Sequence, residues 1–336
     1  VTARSEPWPV GEWRRHLAAA VRDLDELGEL LGLDRGALGV GPTAASAGRF
    51  PLRVPRGFVG RMRRGDPADP LLRQVLPVAA EDDDVPGFTA DPVGELAVVR
   101  GDGLLVKYHG RALLVVTGAC AVHCRYCFRR HFPFDEQAPG EDGLKPALVA
   151  IAADPGVDEV ILSGGDPLVL PDDRLARLAG RVAAIGHVRR LRIHTRLPVV
   201  LPERVDVALV GWLSGCPLPV VVVIHANHPN EIDGDVARAL ATLRASGAVL
   251  LNQTVLLAGV NDTADALAGL SQRLADCGVV PYYLHLLDRV AGAAHFEVAE
   301  ARALEIMSTL RARLPGYLVP RLVREEPGAS SKVVVG

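Results

Sequence analysis

Lysine is almost absent from this chain. Only Lys107, Lys145 and Lys332 stand among 37 basic residues, so each is worth inspecting, although coding bias alone explains an arginine excess. Five cysteines and no secretory leader argue against a disulfide scaffold. No run approaches the roughly 20 apolar residues that cross a bilayer, so no membrane partner is expected. A net charge of −3 gives no reason to expect nucleic acid as the main partner either. The expectation is a soluble cytoplasmic protein. Its 336 residues, 49% of them hydrophobic, suffice for one large α/β domain with an appendage.

Three of the five cysteines sit together in Cys120-Ala121-Val122-His123-Cys124-Arg125-Tyr126-Cys127. A structural zinc site would pair two such groups or add histidines at finger spacing, and neither is present. Three thiolates at C-x3-C-x2-C suit three irons of a cubane cluster, leaving the fourth iron open to bind and reduce a small molecule. Spacing alone leaves zinc and coincidence open. Cys216 and Cys277 read as ordinary core or helix-end residues.

Residues 1–100 read as a helical and irregular extension that wraps the main body. Apolar spacing predicts helix from Trp13 to Leu31, and turn signals follow at Asp66-Pro67 and Asp69-Pro70. From about residue 111 short apolar runs recur: Leu113–Val116, Glu159–Leu162, Leu191–Ile193, Val220–Ile224, Val249–Leu251 and Val280–Leu284. Amphipathic segments lie between them, which predicts a parallel sheet with helices outside. Six units favour an incomplete barrel over an open doubly wound sheet. The expectation is a partial (β/α)6 barrel over residues 101–316, closed by a tail over 317–336.

Polar residues follow every one of these runs. Cys120 follows the first, Ser163-Gly164-Gly165-Asp166 the second and His194-Thr195-Arg196 the third. His225-Ala226-Asn227-His228 follows the fourth, Asn252-Gln253 the fifth, and His285 with Asp288 the sixth. Parallel sheets and barrels place their chemistry at these ends, so one shared site explains the register.

Each group also has an ordinary reading. Ser163-Gly164-Gly165-Asp166-Pro167 lacks a phosphate-loop spacing and would serve as a capped turn, but its glycines admit a ligand to the backbone and Asp166 suits an ammonium. Arg129 and Arg130 suit a carboxylate or a solvated surface. Lys107 and Arg111 suit a phosphate or a strand edge. Lys332 near the tail is solvated by default, or a Schiff-base lysine if the tail folds in. Asp288 and Glu325 suit a distant ammonium or common ion pairs.

Together these residues resemble the radical S-adenosylmethionine (SAM) family, and within it the lysine 2,3-aminomutases. Lys107-Tyr108-His109-Gly110-Arg111, Cys124-Arg125-Tyr126-Cys127-Phe128-Arg129-Arg130-His131-Phe132 and Pro281-Tyr282-Tyr283-Leu284-His285 are similar to the subgroup that acts with elongation factor P. The likeness runs from about Phe50 to Lys332. It implies a [4Fe-4S] cluster on Cys120, Cys124 and Cys127, with Tyr126 in the cluster loop. It implies SAM beside Gly164, Gly165, Asp166, His225 and Gln253, and pyridoxal phosphate on Lys332, Lys107 and Arg111. The implied reaction turns free lysine into (R)-β-lysine, with Arg129 on the α-carboxylate and Asp288 and Glu325 on the ε-ammonium.

An electron donor such as flavodoxin or ferredoxin and a functional link to an elongation factor P ligase are also implied, and a homo-oligomer is left open. The chain departs from the larger family members in having Thr263 where a zinc cysteine would fall, so no zinc is expected. Glu325 stands where those have aspartate, and Ser330-Ser331 replace a glycine run. An aminomutase for another amino acid, free-lysine secondary metabolism, and an iron–sulfur electron carrier or sensor are the rival readings.

Overall fold

The computed structural model describes residues 6–39, 50–138, 140 and 142–336. Nine strands form one sheet in sequence order: β1 Leu104–Leu105, β2 Arg111–Thr117, β3 Glu159–Gly164, β4 Arg190–Thr195, β5 Val220–Ile224, β6 Val249–Val255, β7 Val280–His285, β8 Arg321–Arg324 and β9 Val333–Val334. Neighbours from β2 to β8 are parallel, while β1 and β9 pair antiparallel at the two edges. The edges do not pair with each other, so the barrel is partial.

The parallel strands are rich in β-branched residues because both of their faces are covered. Leu114, Val160, Leu162 and Ile193 are fully buried. Several of the helices between the strands are amphipathic, Asp172–Ala183 most clearly. Outside the extension the longer helices are Lys145–Ala153, Asp172–Ala183, Val207–Ser214, Gly234–Ala245, Ala264–Asp276 and Glu300–Arg313.

Six parallel strands fall where the apolar runs lie, but the parallel set has a seventh member. Its four residues, Arg321-Leu322-Val323-Arg324, put arginine at both ends and leave no apolar run to read. Val207–Ser214 gives no amphipathic signal because it is short and apolar on nearly every side. The Trp13–Leu31 helix is really two, α1 (Glu12–Ala18) and α2 (Leu24–Leu31). Between them Val21 exchanges backbone hydrogen bonds with Val54, and Asp23 caps α2 by accepting from the amides of Asp25 and Glu26.

The extension shares the barrel's core. Trp8, Trp13, Leu27, Phe58 and Leu71 pack in one cluster with barrel residues. Trp8 bridges to the barrel backbone at Val205 and Val207, and the Arg204 guanidinium lies over Trp13. Among the described residues no helix is long and apolar enough to cross a membrane.

Candidate active site

The cluster loop leaves β2 at Thr117 and is braced from both sides. The ends of β3 press on it from below. A Cβ on Gly164 would sit 2.3 Å from the Thr117 carbonyl oxygen, and one on Gly165 2.3 Å from that of Ala119. The glycines therefore admit the protein's own cluster loop, and not only a ligand. Gly165→Ala is expected to displace Cys120, at an overpacking cost of roughly 1–3 kcal/mol. Its reconstituted protein should hold less iron and sulfide than wild type while keeping its circular dichroism.

From above, residues 50–82 clamp the loop. The His123 amide donates to the Arg53 carbonyl at 3.0 Å, and the His123 ring stacks on Phe50 at 4.7 Å. Arg125, fully buried, donates to both carboxylate oxygens of Glu81, to which Arg130 donates as well. Breaking such a pair leaves a buried charge uncompensated, so these arginines hold the loop.

Behind Cys124 lies a buried polar network. Arg196 Nη1 donates to Cys124 Sγ at 2.6 Å, and Nη2 donates to Gln74 Oε1 at 2.7 Å and to Glu231 Oε2 at 3.1 Å. Asn227 donates to Gln74 and to the Tyr126 hydroxyl. Gln74 and Glu231 carry no local sequence signal, while Arg196 and Asn227 stand among the strand-end residues without a role of their own.

Asp166 reaches the strand ends, but its carboxylate is occupied within the protein. It accepts from the Leu168 amide, the Thr195 hydroxyl, and the amides of Arg196 and Leu197. Burial pushes its pKa up to about 6 against those donors. With four protein donors in place, Asp166 ties the end of β3 to the end of β4 and is not presented to a ligand ammonium.

The three thiols fit a cluster. Burial raises Cys120, and the charges of Cys127, Asp166 and Cys124 raise it further. Burial and the Cys124 charge push Cys127 up to about 11. Thiols whose pKa is raised in this way lose their protons when a cation binds them, and iron would supply it. No three His, Cys, Asp or Glu side chains among the described residues form a single-ion site.

A second group gathers around the tail. Lys332 Nζ donates to Glu325 Oε1 at 2.7 Å, Lys107 Nζ to Glu325 Oε2 at 3.3 Å, and the Tyr108 hydroxyl to the same carboxylate. Burial opposes the Glu325 charge, yet Lys332, Tyr108 and Lys107 together hold its pKa down at about 2. The Arg111 guanidinium lies 5.3 Å from the Tyr108 ring. Short β9, paired to β8, brings Lys332 in from the tail. Asp288 lies just past β7. Burial raises its pKa, Lys332 lowers it and Glu325 raises it, leaving it at about 7.

Between the two groups lie Arg129 and three histidines. Arg129 donates to both oxygens of Glu95, and its Nη1 also reaches Ser163 Oγ at 2.8 Å and the Gly164 carbonyl at 3.1 Å. A second carboxylate must share this guanidinium with Glu95. The buried Nε2 atoms of His194, His225 and His285 have no hydrogen-bond partner. Burial lowers His225 to about 4, with Arg196, Arg129 and Lys332 adding to the effect. Unpaired buried nitrogens at a barrel mouth fit a polar ligand that pairs them. Gln253 is half-buried on the β6 face opposite Asn252, and in register with Tyr283.

This partial barrel with its three-cysteine loop defines a radical SAM enzyme, and a profile of the Radical SAM superfamily matches residues 114–266. The chain is 50% identical over 322 residues to the L-lysine 2,3-aminomutase of Escherichia coli K12, covering 96% of this chain and 93% of that protein. The Haemophilus influenzae Rd enzyme of the same name is 47% identical, covering 85% of this chain and 84% of its own length. That of Clostridium subterminale is 38% identical, covering 80% and 65%. The chain belongs to the lysine 2,3-aminomutase family. It is an isomerase whose cofactors are a [4Fe-4S] cluster, SAM and pyridoxal phosphate.

Proposed function

We propose that the chain acts on free L-lysine and moves its α-amino group to the neighbouring carbon, giving (R)-β-lysine. The observation that carries this reading is Asp288. No side chain among the described residues hydrogen-bonds or ion-pairs with its carboxylate, although Lys332 and Glu325 are near enough to shift its pKa. An unpartnered acid at the ligand end of the barrel suits a cationic side chain. A glutamate-specific site would present basic or amide groups there.

The cluster and SAM supply one-electron chemistry, and pyridoxal phosphate supplies a π-system for the migrating nitrogen. Cys120, Cys124 and Cys127 would hold the cluster, and Tyr126, Gly164, Gly165, His225 and Gln253 would border SAM. Lys107 and Arg111 would hold the phosphate of the second cofactor. Arg129, its orientation fixed by Glu95, would meet the α-carboxylate of lysine. Lys332 would hold that cofactor through its side-chain amine. Glu325, held ionised with its pKa at about 2, would stand with Asp288 to receive the ε-ammonium. The barrel positions these groups and excludes water.

We place the reaction in the cytoplasm. Its product would serve a separate ligase that modifies elongation factor P, and a small redox protein would reduce the cluster.

The test is a panel of amino acids given to enzyme reconstituted with iron, sulfide, SAM, pyridoxal phosphate and dithionite. Chiral chromatography should find a β-amino acid from lysine alone. Equal conversion of a neutral or acidic amino acid sinks the lysine assignment. A pH effect follows from Asp288. An ε-ammonium binds its ionised form, so below about pH 7 binding must first expel a proton. The lysine KM should rise by up to about tenfold per pH unit as pH falls below 7. Asp288→Asn should flatten that profile and raise KM by roughly 30- to 150-fold, matching about 2–3 kcal/mol for one partner of a buried charge pair. A profile that keeps its slope in Asp288→Asn rules this residue out.

A further inference from the structure

Two openings in this molecule carry opposite charge. The larger, about 930 Å³, is lined by Asp91, Asp288, Glu297, Glu300 and Glu325, while its arginines Arg289 and Arg324 are ion-paired with Glu297 and Glu300. It belongs to the lysine end of the site. The smaller, about 310 Å³, is lined by Arg14, Arg22 and Arg53 with Trp13, Leu17 and Val169, and has no acid in its wall. None of its three arginines is ion-paired among the described residues. In a chain of net charge −3, such a patch is an exception to the general balance.

Its position gives the patch a meaning. Arg53 accepts the His123 amide at 3.0 Å through its carbonyl, and His123 lies between Cys120 and Cys124. Pro51, two residues earlier, contacts His123 Nδ1 through its carbonyl at 2.8 Å. Val169, in the opposite wall, is three residues past Asp166. Both walls of the basic groove are therefore built from segments that touch the cluster loop or the β3 turn beneath it. The groove opens beside the cluster loop.

We propose that this groove docks the protein that reduces the cluster, an acidic one-electron carrier bearing a flavin or an iron–sulfur centre. In the step the carrier loses one electron and the cluster gains it, passing from the 2+ to the 1+ state with no bond made or broken. Opposite charges would orient the encounter and raise its rate, an effect that falls with salt. The inference rests on the cluster and not on lysine being the substrate.

The test uses the whole reconstituted protein and the double variant Arg14→Glu/Arg22→Glu. Both residues are exposed and outside the cluster and lysine groups. Anaerobic stopped-flow follows cluster reduction by reduced flavodoxin, an acidic flavoprotein, and separately by dithionite. Flavodoxin-driven reduction should slow at least about tenfold and lose its dependence on salt, within the range for electrostatic steering, while the dithionite rate stays unchanged. Flavodoxin rates equal to wild type overturn the proposal. So does a matched loss with both reductants in this variant and in Arg14→Gln/Arg22→Gln, since the arginines would then support the cluster itself. Dithionite-driven formation of β-lysine reports on the proposed reaction independently, so the two readings fail separately.

Discussion

Lys332→Ala should keep the brown cluster and lose both the visible absorbance of lysine-bound pyridoxal phosphate, near ~420 nm, and all measurable isomerisation, at least about a thousandfold. The effect is this large because no other amine can take over. Lys145 opens the helix Lys145–Ala153, and Lys107 is held by Glu325 and the Val93 carbonyl. The variant should also disturb Glu325. Without Lys332 that carboxylate loses the cation that contributes most to its low pKa, and titration by difference infrared spectroscopy should find it moved upward. Retained absorbance near ~420 nm would mean that a different lysine carries the cofactor.

Cys127→Ala is the converse experiment and carries an equal penalty. Cys127 is one of three thiols that must each surrender a proton to iron, and its raised pKa of about 11 makes that surrender difficult without the metal. Removing one ligand of three leaves the cubane without a closed set of protein anchors. Iron and sulfide should fall to background and activity should vanish, again at least about a thousandfold, because the one-electron chemistry has lost its source. Pyridoxal phosphate should still bind, since Lys332, Lys107 and Glu325 form a separate group. The two variants dissect the site into halves. A brown, active Cys127→Ala protein would contradict the cluster assignment.

Much of this was legible because it is local. The cysteine triplet, the paired glycines and the strand-end register each lie within a few residues, and periodicity marks the six strands. What escaped reading is made of long-range contacts. Gln74 meets Glu231 across 157 positions and Arg196 across 122, and nothing in their local sequence announces it. Asp166 shows the opposite failure. Its motif was recognisable, yet its hydrogen bonds to the Thr195 hydroxyl and the Arg196 amide depend on how β3 and β4 end side by side. The glycines beside it suggest room for a ligand, whereas the nearest backbone is the chain's own at Thr117 and Ala119. Lys332 was legible only through resemblance. The pairing of Val323 with Val334, which folds the tail inward, leaves no periodic signal in so short a strand.

The most direct measurement follows the nitrogen. L-Lysine labelled with nitrogen-15 at its α-amino group is incubated with the reconstituted enzyme in buffer containing unlabelled ammonium. The product is then isolated and examined by NMR and mass spectrometry. Intramolecular migration requires (R)-β-lysine carrying the full label on the carbon next to the original one. Diluted label, label still on the α-carbon, or no β-lysine at all would contradict it.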